Sequence, residues 1–332
     1  MKKHFKKLLL MALMAVMAVG LIACGTDKSD NESTKEEKTS VTITSLDASK
    51  NEIELEVPYN PKRIAILDLA CLDIIDELGV GDRVVGMAST SIDYLEKYSN
   101  DASIKNLGTI KEADLEAVME CEPDIIFIGG RLSKSYDALS EIAPVVYLAT
   151  DTNEGLVNSV SKNAKTIASI FGMEDKVDSL MSDFGARIDT IKKISSGKTA
   201  LVGMTTSGSF NLLGNDGRCS LIGVEAGFNN LTAAGSTSTH GNESSFETVV
   251  QQNPDYIFVM DRDSAISTAG AKTAKEIVEN ELVKTTDAYK NNHIIYLEHS
   301  NVWYTAEGGI QALDIMPVSY THLRAHETGR NL

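Results

Sequence analysis

An internal repeat constrains this chain more than any other feature. Residues 115–131 read LEAVMECEPDIIFIGGR and residues 246–262 read FETVVQQNPDYIFVMDR, and they align without a gap at an offset of 131. Glu116 falls on Glu247, Pro123 on Pro254, Asp124 on Asp255, Phe127 on Phe258 and Arg131 on Arg262. Each copy predicts a short amphipathic helix, a Pro-Asp turn and an apolar strand, Ile125–Ile128 or Tyr256–Met260. An apolar run without alternation suits a strand covered on both faces, as in a parallel α/β sheet. A unit of this kind used twice calls for two similar α/β lobes. Each copy also ends in an Arg just past its strand, and open α/β sheets hold ligands outside the carboxyl ends of their strands.

The remaining pattern fits that scheme. Arg63–Leu67, Val84–Met87 and Val145–Leu148 read as strands and Cys71–Leu78 as a helix, within a first lobe spanning 41–152. Lys198–Met204 opens a second lobe, 197–316, with a later strand at Ile294–Leu297. The segment between, 153–196, is helical: Leu156–Ile170 leads to Gly172, and then Val177, Leu180, Met181, Phe184, Ile188 and Ile191 keep a helical period. The second helix, of about 20 residues, would be about 30 Å long. The expected fold is therefore α/β, with two Rossmann-like lobes joined by one long rigid helix and a preformed ligand cleft between them.

Composition excludes several classes. The 332 residues carry 31 Lys plus Arg against 47 Asp plus Glu, a formal charge of −16. Nucleic-acid binding, which needs clustered cations, is disfavoured. Four cysteines are too few for a disulfide scaffold. Ser195–Thr199 imitates a phosphate-binding loop but has Lys192 where the first glycine belongs, and lies between a helix and a strand instead of the reverse. The chain contains no G-x-S-x-G, H-E-x-x-H or paired C-x-x-C, so no enzymatic activity is expected.

The ends carry separate signals. Lys2, Lys3, Lys6 and Lys7 precede an apolar run that closes Leu21-Ile22-Ala23-Cys24. This resembles the lipobox of bacterial lipoproteins, with 1–24 a signal peptide and Cys24 the lipidated residue. Residues 25–40, without a large apolar side chain, read as a disordered tether. Ile310, Leu313 and Met316 share a helix face that Pro317 ends, and 317–332 reads as a non-native tail.

Beyond the two repeated arginines, Asn215-Asp-Gly-Arg218 is a turn that delivers a third. Thr239-His240-Gly241 lies in a polar loop, and Trp303-Tyr304 follows the last strand, all three segments being read as loops. Together with the lipobox and the P-D-x-I-F repeat, this set resembles the siderophore-type substrate-binding lipoproteins of ABC importers, in particular the ferric-catecholate and petrobactin group. The resemblance implies a membrane-anchored, extracytoplasmic, monomeric, non-enzymatic protein. It would need no intrinsic cofactor, capture a ferric siderophore and deliver it to an ABC permease with its ATPase. It also implies that Arg131, Arg218 and Arg262 line the pocket and that His240 and Tyr304 bind the ligand and can complete its iron coordination. Trp303 is expected to pack, and His293 and His299 to lie on the surface. The same fold binding haem or a corrinoid (cobalamin) is the alternative, disfavoured by three pocket arginines. Glu77, Asp73 and Glu225 are candidate exposed carboxylates for permease docking.

Overall fold

A computed structural model describes residues 38–234 and 237–317. Cys24, the signal-type segment, nearly all of the tether and residues 318–332 lie outside the described residues. The chain enters through a hairpin, β1 (Ser40–Leu46) and β2 (Glu52–Pro58), paired antiparallel from Ser40↔Pro58 to Leu46↔Glu52. Its turn is held by Asp47 Oδ1, which accepts from the backbone N–H of Ser49 at 2.8 Å and of Asn51 at 2.9 Å. The first strand thus begins on the last residue of the expected tether.

The first lobe is a five-stranded sheet of β3 (Ile64–Ile66), β4 (Val84–Met87), β5 (Lys105–Asn106), β6 (Ile125–Ile128) and β7 (Val145–Tyr147), in the order β5-β4-β3-β6-β7 and parallel throughout. The second holds β8 (Thr199–Thr206), β9 (Ser209–Leu212), β10 (Asn229–Asn230), β11 (Asn242–Glu243), β12 (Tyr256–Asp261) and β13 (Ile294–Tyr296). Its order is β11-β9-β8-β12-β13, with β10 beside β8. Here β9 runs antiparallel to β8, because Ser207-Gly208 turns the chain straight back, so this sheet is mixed. In both lobes the first strand is central and the repeat strand is its neighbour across the point where the winding reverses.

The repeated Pro-Asp performs the same task twice. Asp124 Oδ2 accepts from the N–H groups of Lys62 and Arg63 at the entry to β3, at 2.7 and 2.9 Å. Asp255 Oδ2 accepts from Thr199 N and Oγ1 at the entry to β8, both at 2.8 Å. The helix preceding each repeat strand, α2 (Leu115–Glu120) or α5 (Phe246–Gln252), is capped by a residue at the matching position, Asp114 or Ser245.

The other named helices are α1 (Leu69–Glu77), α3 (Leu156–Phe171), α4 (Glu174–Ser195), α6 (Ser300–Thr305) and α7 (Ile310–Ile315). The expected connection is thus two helices. Gly172, at φ 67°, closes α3 in the left-handed region, and the Tyr59 hydroxyl fills the space a Cβ would need. α4, at 22 residues, is about 33 Å long.

Alternate residues of each repeat strand serve different cores. Ile125 and Phe127, with Tyr256, Phe258 and Met260, join one apolar cluster that runs through α3 and α4 and takes in Trp303, which is fully buried. Ile126 and Ile128 face a second cluster and Ile257 and Val259 a third, on the outer sides of the lobes.

After crossing to the second lobe the chain comes back. α7 packs on α1, and its N-terminus is capped by Asp73 of α1, which accepts from Gln311 N at 2.8 Å and Ala312 N at 3.0 Å. Tyr94 adds a hydroxyl donor at 2.6 Å. A Cβ on Gly309 would collide with this carboxyl group, so glycine is required there. Asp73 is 0% exposed. That corrects its reading as a docking carboxylate: a helix N-terminus has claimed it. Glu225 is also engaged, accepting from Val157 N at the start of α3, and Glu77 is half-buried.

Candidate functional site

Arg131 and Arg262 leave the sheets at equivalent places. Arg131 follows β6 in the 3-10 turn Gly130–Ser135, and Arg262 follows β12 as the first residue of the helical turn Arg262–Ala265. Each lies where its lobe's winding reverses, the usual crevice of an open α/β sheet. Arg218 arrives from the turn 215–218, which is pinned by Asn230 Nδ2 donating to Asn215 Oδ1 at 3.0 Å and by Thr237 N donating to Asp216 Oδ2 at 2.7 Å.

All three guanidinium groups gather on Tyr304. Their central carbons lie 5.4 Å (Arg131), 4.5 Å (Arg218) and 6.0 Å (Arg262) from its ring centroid, within cation–π range. Arg131 Nη2 donates to the Tyr304 carbonyl oxygen at 3.1 Å, and Arg218 Nε reaches the same oxygen at 3.5 Å. Arg218 Nη1 also donates to the Thr239 carbonyl oxygen at 2.9 Å. Arg262 pairs with the buried Asp263 at 2.9 Å. Among the described residues, no carboxylate oxygen lies within ion-pair distance of Arg131 or Arg218. The cluster therefore holds excess positive charge in a chain that is strongly acidic overall.

Electrostatics act on both expected iron-binding side chains. Burial alone would raise the Tyr304 phenol, but the hydrogen bond from Arg262 and the charges of Arg218, Arg262 and Arg131 outweigh it and bring it below its ordinary value. The His240 imidazole is lowered by desolvation and then by Arg262, Arg218, Lys111 and Arg131, which favours the neutral ring that metals bind. His240 is exposed on its turn, its carbonyl held by Asn211 Nδ2 at 2.9 Å.

Tyr304 corrects the reading of these segments as loops. It lies on α6 and is 3% exposed, its ring covered by the three cations. Trp303 packs in the core. His293 stacks on Tyr256 at 4.3 Å between centroids, away from the cluster.

A cavity of about 310 Å3 runs from the arginines into the first lobe, lined by Asp68, Arg131, Arg218, Thr239, Tyr304 and Glu307, among others. Arg262 and His240 do not line it; Arg262 joins the cluster through the Tyr304 ring. The sequence reading missed Asp68, Glu307 and Lys111. Asp68 caps α1 by accepting from Cys71 N at 3.0 Å, and burial raises its carboxyl. Its position straight after β3, at the same sheet end as Arg131, was the available signal. Glu307 stands three residues beyond Tyr304, and that proximity in the sequence was its available signal. Lys111, on the Thr109–Glu112 turn of the first lobe, carried no motif. Among the described residues no group of three or more His, Cys, Asp or Glu side chains could hold a metal ion, and no helix is long and apolar enough to cross a membrane.

Two lobes, each offering an arginine from its sheet's reversal point to one tyrosine ring beside a cavity, define a two-lobed solute-binding protein. The chain belongs to the family described as periplasmic binding protein, whose profile matches residues 64–300. It is 36% identical over 321 residues to the petrobactin-binding protein YclQ of Bacillus subtilis, covering 94% of this chain and 96% of that protein. The crystal structure of YclQ superposes with a TM-score of 0.78, covering 84% of this chain and 96% of that one. The periplasmic catecholate-siderophore binding protein VctP of Vibrio cholerae, 30% identical, superposes at 0.76 over 85% of this chain and all of its own. The siderophore-binding protein BauB, solved with ferric iron and two acinetobactin molecules, is 27% identical and superposes at 0.72 over 84% of this chain and 97% of its own.

Proposed function

We propose that the protein captures a ferric catecholate siderophore and hands it to an ABC permease for ATP-driven iron uptake. The observation that carries this reading is the convergence of three guanidinium groups on one tyrosine ring. A ferric catecholate is an anion with flat aromatic rings. Guanidinium groups donate in a forked geometry to its oxygens and lie over its rings. Haem and corrinoids present broad apolar faces, for which this cluster of cations is poorly matched. The relatives' ligands, petrobactin for YclQ and a catecholate siderophore for VctP, fall in the same chemical class.

His240 and Tyr304 supply two donors, a neutral imidazole and a phenol biased toward its anion. A tetradentate bis-catecholate leaves two of the six positions on iron for them, and a hexadentate ligand leaves none. Lys111 adds a further cation on the first-lobe side, close enough to act on His240. The protein works as a monomer tethered through lipidated Cys24 on the outer side of the cytoplasmic membrane. Permease docking falls to Glu116 and Glu247, which the repeat places identically on α2 and α5 and which are both exposed.

The test is a titration of tryptophan fluorescence with preformed ferric bis-catecholate, ferric tris-catecholate, haem and cobalamin. Trp303 is the only tryptophan and adjoins Tyr304 in sequence, so a ligand on that ring reports through it. Tight binding of a ferric catecholate with a visible charge-transfer band is expected. Saturable binding of haem or cobalamin alone would sink the assignment.

A further inference from the structure

The cavity beside the arginine cluster contains a carboxyl group that the anion-binding reading does not use. Glu307 lines it together with Arg131, Arg218 and Tyr304. Its Oε2 accepts from Cys219 N at 3.4 Å, the residue next to Arg218. Among the described residues no cation comes within ion-pair distance of it. A carboxylate placed there is a counter-charge to Arg218 and Arg131 while the cleft is empty and a repelling charge once a chelate anion arrives.

We infer that Glu307 is a specificity-determining residue of this site, taking up a proton when an anionic ferric chelate binds. This rests on the ferric-catecholate reading above. The transfer is simple: a solvent proton adds to the Glu307 carboxylate, no other bond changes, and the site loses one negative charge as the ligand brings its own.

The charged and titratable surroundings support it. Arg218 from the turn 215–218 and Arg131 from beyond β6 favour the carboxylate, Glu225 from beyond the helical turn Ser220–Gly223 opposes it, and Asp68 lines the same cavity. Cys219, just before that turn, stays a thiol, since burial pushes it well up. Burial is the largest influence on Glu307 and lifts it to about 7. Near neutral pH the empty site therefore holds the two protonation states in comparable amounts, and an added anion tips the group to the acid. Affinity then rises as pH falls toward 7 and levels off below it. The consequence for specificity is that each added negative charge on the ligand favours the neutral acid further. More highly charged chelates gain most from it.

The experiment is calorimetry with the preformed ferric complex of a synthetic tetradentate bis-catechol, in buffers of different ionisation enthalpy, on the parent, Glu307→Gln and Asp68→Asn. About half a proton per ligand is expected to enter the parent at pH 7. Glu307→Gln should lose this uptake and bind several-fold more tightly above pH 8, while Asp68→Asn keeps the uptake. Any proton the ligand itself exchanges is common to all three proteins and cancels in the comparison. Infrared difference spectra of the parent should show a protonated-carboxyl band appearing with ligand, a readout that survives if the glutamine variant does not fold. Equal proton uptake in parent and Glu307→Gln, or binding to the parent with neither uptake nor that band, would overturn the inference while leaving the ferric-catecholate reading intact. Absence of binding by the parent at every pH would overturn both.

Discussion

Arg131 of the first lobe donates from Nη2 to the carbonyl oxygen of Tyr304 in the second at 3.1 Å. One of the three clustered cations thus also ties the lobes together. Arg262, by contrast, pairs within its own lobe with Asp263, which is 4% exposed. This difference separates two substitutions that look alike in the repeat. Arg131→Ala and Arg262→Ala should each weaken ferric-catecholate binding by roughly 1–3 kcal/mol, the scale of a lost charge-assisted hydrogen bond. Arg262→Ala should also lower the unfolding midpoint, because it leaves a buried carboxylate without its cation. Fluorescence quenching and urea melts of both variants check this. Unchanged affinity in both would remove the arginines from the site.

Direct iron coordination is separable from anion capture by ligand denticity. His240→Ala combined with Tyr304→Phe should weaken a tetradentate ferric bis-catecholate strongly and a hexadentate tris-catecholate mildly. It should also abolish the shift of the charge-transfer band on binding. Equal losses for the two ligands, with no spectral change, would reduce both residues to pocket lining.

Asp73 gives a pH dependence of stability. Burial lifts its carboxyl from 3.8 to about 7 in spite of three hydrogen bonds. The folded protein then holds a proton that the unfolded chain releases, so this contribution is full below about pH 4 and is lost as pH rises through about 7. From pH 5 to 8 the parent should lose on the order of 2–3 kcal/mol relative to Asp73→Asn, which keeps an acceptor but no titrating group. Parallel urea-melt profiles for the two proteins would contradict it.

Docking to the permease is expected to depend on the repeat-related glutamates. Glu116→Lys and Glu247→Lys should leave siderophore affinity unchanged and lower uptake in cells, the double variant more than either alone. Normal uptake by the double variant would place the docking surface elsewhere.

The lobes and two of the three arginines were legible because a gapless repeat carries its own register. Pro-Asp marks the turn, the apolar run marks a strand with two covered faces, and the arginine at the matching position beyond it must emerge at the sheet's end. The hairpin β1–β2 was not legible: its residues alternate, but it adds no strand to either main sheet. Tyr304 was read in a loop because α6 is six residues long, too short to display a period. Asp73 was misjudged for a different reason. A charged residue among apolar helix positions signals exposure unless something caps onto it, and its partner lies 238 residues away in the chain.

The return of α7 to α1 bears on how the molecule can be divided. By its sheets it has two lobes, but by its contacts the first is finished by the last residues of the second. A fragment ending at Gly172 would uncover the face of α1 that α7 occupies and leave Asp73 without the two amide donors that hold it. The halves are therefore not interchangeable modules that could be expressed alone or grafted between homologues at the long helix. Any chimaera that exchanges the second lobe has to carry α7 with the first.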